Sequence, residues 1–155
     1  MRNSVRKALP LTIAFLLVLC SAAFAGDNAN VVVSLTSPTE ASDVAAAGTV
    51  EVALSASGMV GVKRFDVNLE VSPADAFDLS ASTFVQDPAF TISPGVEFPA
   101  DGQVKSGAAS FSAAVDGDGA LGTFTLTASD AIGDSVVISV VNLSIGPTST
   151  ERDEF

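Results

Sequence analysis

Histidine, tryptophan and tyrosine are absent from the chain, and its single cysteine, Cys20, lies within the first 25 residues. Each absence removes a class of chemistry. With no histidine, and no cysteine beyond position 20, a zinc or copper site of the usual kind cannot be built. A Ser-His-Asp triad and a Cys-His pair are excluded for the same reason. Without paired cysteines there is no disulfide framework, so an apolar core must hold the fold unaided. The broad aromatic platforms that usually stack on sugar rings are also missing. Basic residues are scarce: seven Lys and Arg stand against 18 Asp and Glu in 155 residues.

Three of the seven, Arg2, Arg6 and Lys7, precede the apolar run "LTIAFLLVLC" (Leu11–Cys20), which is followed by the small-x-small motif Ala23-Phe24-Ala25. That order is the pattern of a secretory leader. The run is too short to cross a hydrocarbon layer of about 30 Å. Leu19 stands where a lipobox needs a small residue, so Cys20 is not read as a lipid anchor. Residues 1–25 are therefore expected to be a signal peptide cut between Ala25 and Gly26. The remaining 130 residues would be secreted, extracellular or periplasmic, with no membrane span. They carry Lys63, Arg64, Lys105 and Arg152 against all 18 acids, a net charge of 4 − 18 = −14. Such a surface repels nucleic acid and anionic lipid, because both need Lys and Arg to neutralise phosphates.

Beyond residue 26 the pattern is of strands. "NVVVSLT" (Asn30–Thr36), "GTVEVALSA" (Gly48–Ala56) and "VKRFDVNLEV" (Val62–Val71) alternate apolar with polar residues. In the third, Phe65, Val67, Leu69 and Val71 point one way and Arg64, Asp66, Asn68 and Glu70 the other. A short strand through Phe84, then "AASFSAAV" (Ala108–Val115), "LGTFTLTA" (Leu121–Ala128) and "SVVISVVNLSI" (Ser135–Ile145), complete the set. Strands at this spacing with no crossover helices predict an all-β, antiparallel two-sheet β-sandwich, jelly-roll-like, of about eight to nine strands. Phe65, Phe77, Phe84, Phe90, Phe98, Phe111 and Phe124 are each assigned to its core. The segment "GPTSTERDEF" (146–155) shows no alternation and reads as a polar tail or linker stub.

The stretch Asp116-Gly117-Asp118-Gly119 has two readings. Asp-Gly pairs supply the positive φ of tight hairpins, which favours a turn. Calcium needs roughly six to eight oxygens, so a metal reading requires carboxylates from elsewhere. Asp130 and Asp134 are the nearest candidates to complete a calcium site with Asp116 and Asp118. Calcium is the one cofactor left open. No acid pair is marked as lying across a substrate cleft, so the protein is expected not to be an enzyme.

The order "VVVSLTSP…GTVEVALSASGMVGVKRFDVNLEVSPADAFDL", followed by "SFSAAVDGDGALGTFTLTASDAIGDSVVISVVNLS", resembles that of cohesin domains over roughly residues 30–145. The resemblance implies a cohesin-like β-sandwich at 26–145, related in fold to carbohydrate-binding modules. It also implies a role in binding a dockerin-like protein module in an extracellular assembly. The candidate partner surface combines Met59 and Val60 with Lys63, Arg64, Asp66 and Asn68. Two alternatives stand beside it: a carbohydrate-binding module acting in polysaccharide binding or breakdown, and a structural extracellular surface domain.

Overall fold

A computed structural model describes residues 12–15, 26–37, 44–133 and 135–155, with only the backbone described for 12–15. Nine strands are defined in chain order: β1 (Thr12–Phe15), β2 (Val32–Thr36), β3 (Thr49–Val62), β4 (Arg64–Ser72), β5 (Phe77–Gln86), β6 (Gln103–Ala109), β7 (Val115–Ala128), β8 (Ser135–Gly146) and β9 (Asp153–Glu154). They form two sheets. One runs β1-β8-β4-β6, with β9 also paired to β8; the other runs β2-β3-β7-β5. All pairings are antiparallel except β1 with β8. Among the described residues there is no helix, and so none long and apolar enough to cross a membrane. The expected all-β sandwich is the observed architecture.

Alternation explains the core. Val50, Val52 and Leu54 of β3 face Phe65, Val67, Leu69 and Val71 of β4 across the sandwich, all buried. Leu121, Phe124 and Leu126 of β7 and Val136, Ile138, Leu143 and Ile145 of β8 complete the two inner faces. Phe65 meets Phe90 edge-on at a centroid distance of 4.9 Å, and Phe84 at 6.3 Å. Edge-to-face pairs of this kind add about 0.5–1.5 kcal/mol beyond the area they bury.

Four sequence expectations need correction. Phe98 and Phe111 are not in the core: they are 48% and 77% exposed. The strand expected at 108–115 lies instead at Gln103–Ala109, with Val104, Ser106 and Ala108 turned inward, and residues 110–114 form a loop. Phe111, counted as an inward residue of that strand, falls in this loop. The segment 146–155 is docked: Asp153 pairs with Ile145, Glu154 with Ser144, and Phe155 exchanges two backbone hydrogen bonds with Leu143. Its polar residues show no alternation because only two of them form a strand, which lies along an edge of β8.

The fourth correction concerns Asp-Gly-Asp-Gly. Residues 115–128 are one continuous strand, and no turn interrupts it. Opposite, β3 is bulged, its register with β7 shifting between Ala56 and Met59 and again between Met59 and Val62. Gly58 and Gly61 take φ of 74° and 60° there, the left-handed region that glycine enters at little cost. A bulge removes ladder partners from the backbone, and the aspartates supply replacements. The Gly58 N–H donates to Asp118 Oδ1 at 3.0 Å, and the Gly61 N–H to Asp116 Oδ1 at 2.7 Å.

Candidate partner-binding face

Strand β4 is central to its sheet, between β8 and β6, so its outward residues form the middle column of a broad polar face. The pairing registers set the rows. Asn68 lies between Asn142 and Lys105, Glu70 between Ser139 and Gln103, and Asp66 between Ser144 and Gly107. A Cβ at Gly107 would collide with the Phe65 carbonyl and the Asp66 side chain, so in the third row the Asp66 carboxylate fills the space that a side chain on β6 would take.

Electrostatically the face is organised around Asp66. Its Oδ2 accepts from Arg152 Nη1 at 2.7 Å and from Arg64 Nε at 3.3 Å. The Arg152 contact is the better shielded, since its side chain is 26% exposed against 42% for Arg64. Exposed ion pairs contribute about 0–1 kcal/mol, so the pairs position these side chains more than they stabilise the fold. Lys105 reaches Glu97 at 3.5 Å on the β6 flank. Asn68 Nδ2 donates to Gln103 Oε1 at 2.9 Å, and Gln103 Nε2 donates to Glu70 Oε1 at 3.4 Å.

Among the described residues, two side-chain atoms of this face find no hydrogen-bond partner though buried, Asn68 Oδ1 and Ser144 Oγ. A buried acceptor left in that state costs about 1–3 kcal/mol. Both atoms are shielded from solvent, so a partner on this face would meet the exposed groups around them. Val141 of β8 adds exposed apolar area next to Asn142, and Val137 adds more at the Ser72 end of the face.

The structure divides the sequence candidates. Arg64, Asp66 and Asn68 lie together on this face, and Lys63 occupies the crossing between β3 and β4. At that crossing the Lys63 N–H donates to the Gly146 carbonyl, and its own carbonyl accepts from Ser110. Met59 does not join them: it is buried in the core at 2% exposure. Val60 is exposed but belongs to the other sheet. Lys105, Gln103, Asn142 and Arg152 were missed. Lys105 had a signal, as one of four basic residues in an alternating stretch; Arg152 had none, because its position depends on the docked segment.

Of the calcium candidates, Asp116 and Asp118 sit at one end of β7. Asp130 lies past the other end, roughly 40 Å of strand away. Asp134 is outside the described residues. The fold does not bring Asp130 to the other two, and among the described residues no group of three or more His, Cys, Asp or Glu is placed to hold a metal. A separate open groove of about 470 Å³ lies near the Gly102 end of β6, lined by Phe98, Leu79, Phe77, Ser80, Asp75 and Asp101.

No protein-family model matches the sequence, and no curated protein matches it. Solved structures do. A cohesin module from a family 33 glycoside hydrolase of Clostridium perfringens superposes with a TM-score of 0.59 at 18% identity, covering 79% of this chain and 91% of that one. The sixth cohesin of scaffoldin B from Acetivibrio cellulolyticus, solved with a Cel5 dockerin, gives a TM-score of 0.48 at 18% identity over 68% and 80% of the two chains. A Clostridium thermocellum cohesin–dockerin complex gives 0.43 at 14% identity over 70% and 78%. The first of these establishes that the chain has a cohesin-type β-sandwich fold.

Proposed function

We propose that the protein is a secreted, non-catalytic binding module whose β8-β4-β6 face docks a dockerin-like protein module in an extracellular assembly. The observation that carries this reading is the ordered polar array at the centre of the face, in which Asn68 is held to Gln103, Gln103 to Glu70, and Lys105 to Glu97. The cohesin-type fold supports it. Gln103, Glu70 and Lys105 around Asn68 are already held by neighbours, so a partner meets a preset array and orders few of these side chains on binding.

The test is titration calorimetry of the secreted protein against a panel of calcium-loaded dockerin modules, with EDTA as control. Binding by one of them should weaken at least tenfold in Asn68→Ala combined with Lys105→Ala. Asp116→Asn, on the opposite sheet, should leave it unchanged. Binding that ignores the double variant would place the partner elsewhere.

A second reading has its own observation. Phe98 is half-exposed on the wall of the groove that also holds Asp75 and Asp101, an arrangement able to stack one sugar ring and accept from its hydroxyls. Retention on insoluble polysaccharide that is lost in Phe98→Ala would favour it.

A further inference from the structure

Gly26 is the residue at which the leader motif places the cut, and its nitrogen has a partner in the fold. The Gly26 N–H donates to Asp153 Oδ1 at 2.9 Å, and the Asn28 N–H donates to Asp153 Oδ2 at 3.0 Å, so a single carboxylate holds both. A Cβ at Gly26 would run into that carboxylate, so a larger residue there would push the Asp153 side chain aside. Asp153 belongs to β9 and is fixed from behind by its pairing with Ile145. The charged groups around the cleft are Asp27 from the amino-terminal side and Glu151, Arg152 and Asp153 from the carboxy-terminal side. Arg152 is turned to Asp66. Among the described residues, the other charged side chains lining the cleft are carboxylates.

We propose that cleavage of the Ala25–Gly26 peptide bond, which also frees β1 from β8, converts this amide into an ammonium that Asp153 holds as an ion pair, latching the new amino terminus to β9. The reaction is hydrolysis, catalysed by a leader peptidase, with water as co-reactant. The water hydroxyl goes to the Ala25 carbonyl carbon, and its proton goes to the Gly26 nitrogen. At neutral pH that amine takes up one more proton, and the released Ala25 carboxylic acid gives one up. An amide–carboxylate hydrogen bond thereby becomes one between two full charges, the stronger kind. The latch also bears on the candidate binding face, since Arg152, next to Asp153 in the chain, is the residue that reaches Asp66.

An opposite charge in contact favours the protonated amine and slows its acylation, because only the neutral amine reacts. The test exports the full chain from a bacterial secretory host and reads the mature mass. The α-amine is then acetylated at pH 7.5, with Lys63 and Lys105 as internal references. A mature protein starting at Gly26 is expected, its α-amine reacting about three- to tenfold more slowly than in Asp153→Asn, with the lysines unchanged. An extra alanine retained before Gly26 moves the amine by roughly 3.8 Å and should restore fast reaction with Asp153 intact. A different amino terminus, or equal α-amine rates in the wild type and both variants, would overturn the proposal.

Discussion

Replacing Asn28 by alanine should cost more stability than any other single polar substitution outside the core. Asn28 is 1% exposed, and its side-chain amide pinches one residue of β3 from both sides. Oδ1 accepts from the Val60 N–H at 2.8 Å, and Nδ2 donates to the Val60 carbonyl at 3.1 Å. Val60 lies within the second bulge, between the paired residues Met59 and Val62, where the ladder to β7 is interrupted. Asn28 therefore stands in for a missing strand. In Asn28→Ala both backbone groups lose their partner, at about 1–3 kcal/mol each when fully buried. The Val60 side chain is 47% exposed, so water reaches part of this segment and the lower half of that range applies. The expected loss is about 2–4 kcal/mol. With a urea slope of about 1.5 kcal/mol/M, the unfolding midpoint should fall by roughly 1.3–2.7 M. Asn28→Asp makes the test sharper. It keeps an acceptor for the Val60 N–H but sets an oxygen against the Val60 carbonyl, so it should be at least as damaging. A midpoint within about 0.3 M of wild type for the alanine variant, or an aspartate variant of unchanged stability, would refute this account.

Two further outcomes follow from the same structure. Phe65→Ala should destabilise by about 3–5 kcal/mol by opening a cavity against Phe84 and Phe90, whereas Phe111→Ser should stay within about 0.5 kcal/mol; paired thermal melts check both. Asp116→Ala and Asp118→Ala should each cost about 1 kcal/mol in urea unfolding, because each strands a bulge amide of β3, and a neutral effect would show that those hydrogen bonds do not form in solution.

The opposed faces of β4 were legible residue by residue. A period of two in a strand with one buried and one wet face leaves little choice about which side chains turn inward, and Phe65, Val67, Leu69 and Val71 all do. The same rule misled where a strand boundary was displaced. Phe111 carries the same apolar signal as Phe65, but it sits just past the end of β6, where the chain leaves the sheet. The candidate face was half-legible. Arg64, Asp66 and Asn68 follow from alternation within one strand, but Lys105, Gln103 and Asn142 join them only through the order of strands in the sheet, which no local pattern encodes.

Asp116-Gly117-Asp118-Gly119 shows where the division falls. By itself the sequence determined that the chain is an acidic, cysteine-poor succession of alternating strands, because charge and period two are local properties that survive any arrangement of the elements. Tertiary structure alone decided that these two aspartates serve the bulged amides of Gly58 and Gly61, some 55 to 60 residues away along the chain. It alone decided, too, that Asn28 holds Val60 and that Asp153 holds the nitrogen of Gly26. A carboxylate or an amide can satisfy any backbone group within reach, and which group comes within reach is set by the pairing of distant strands.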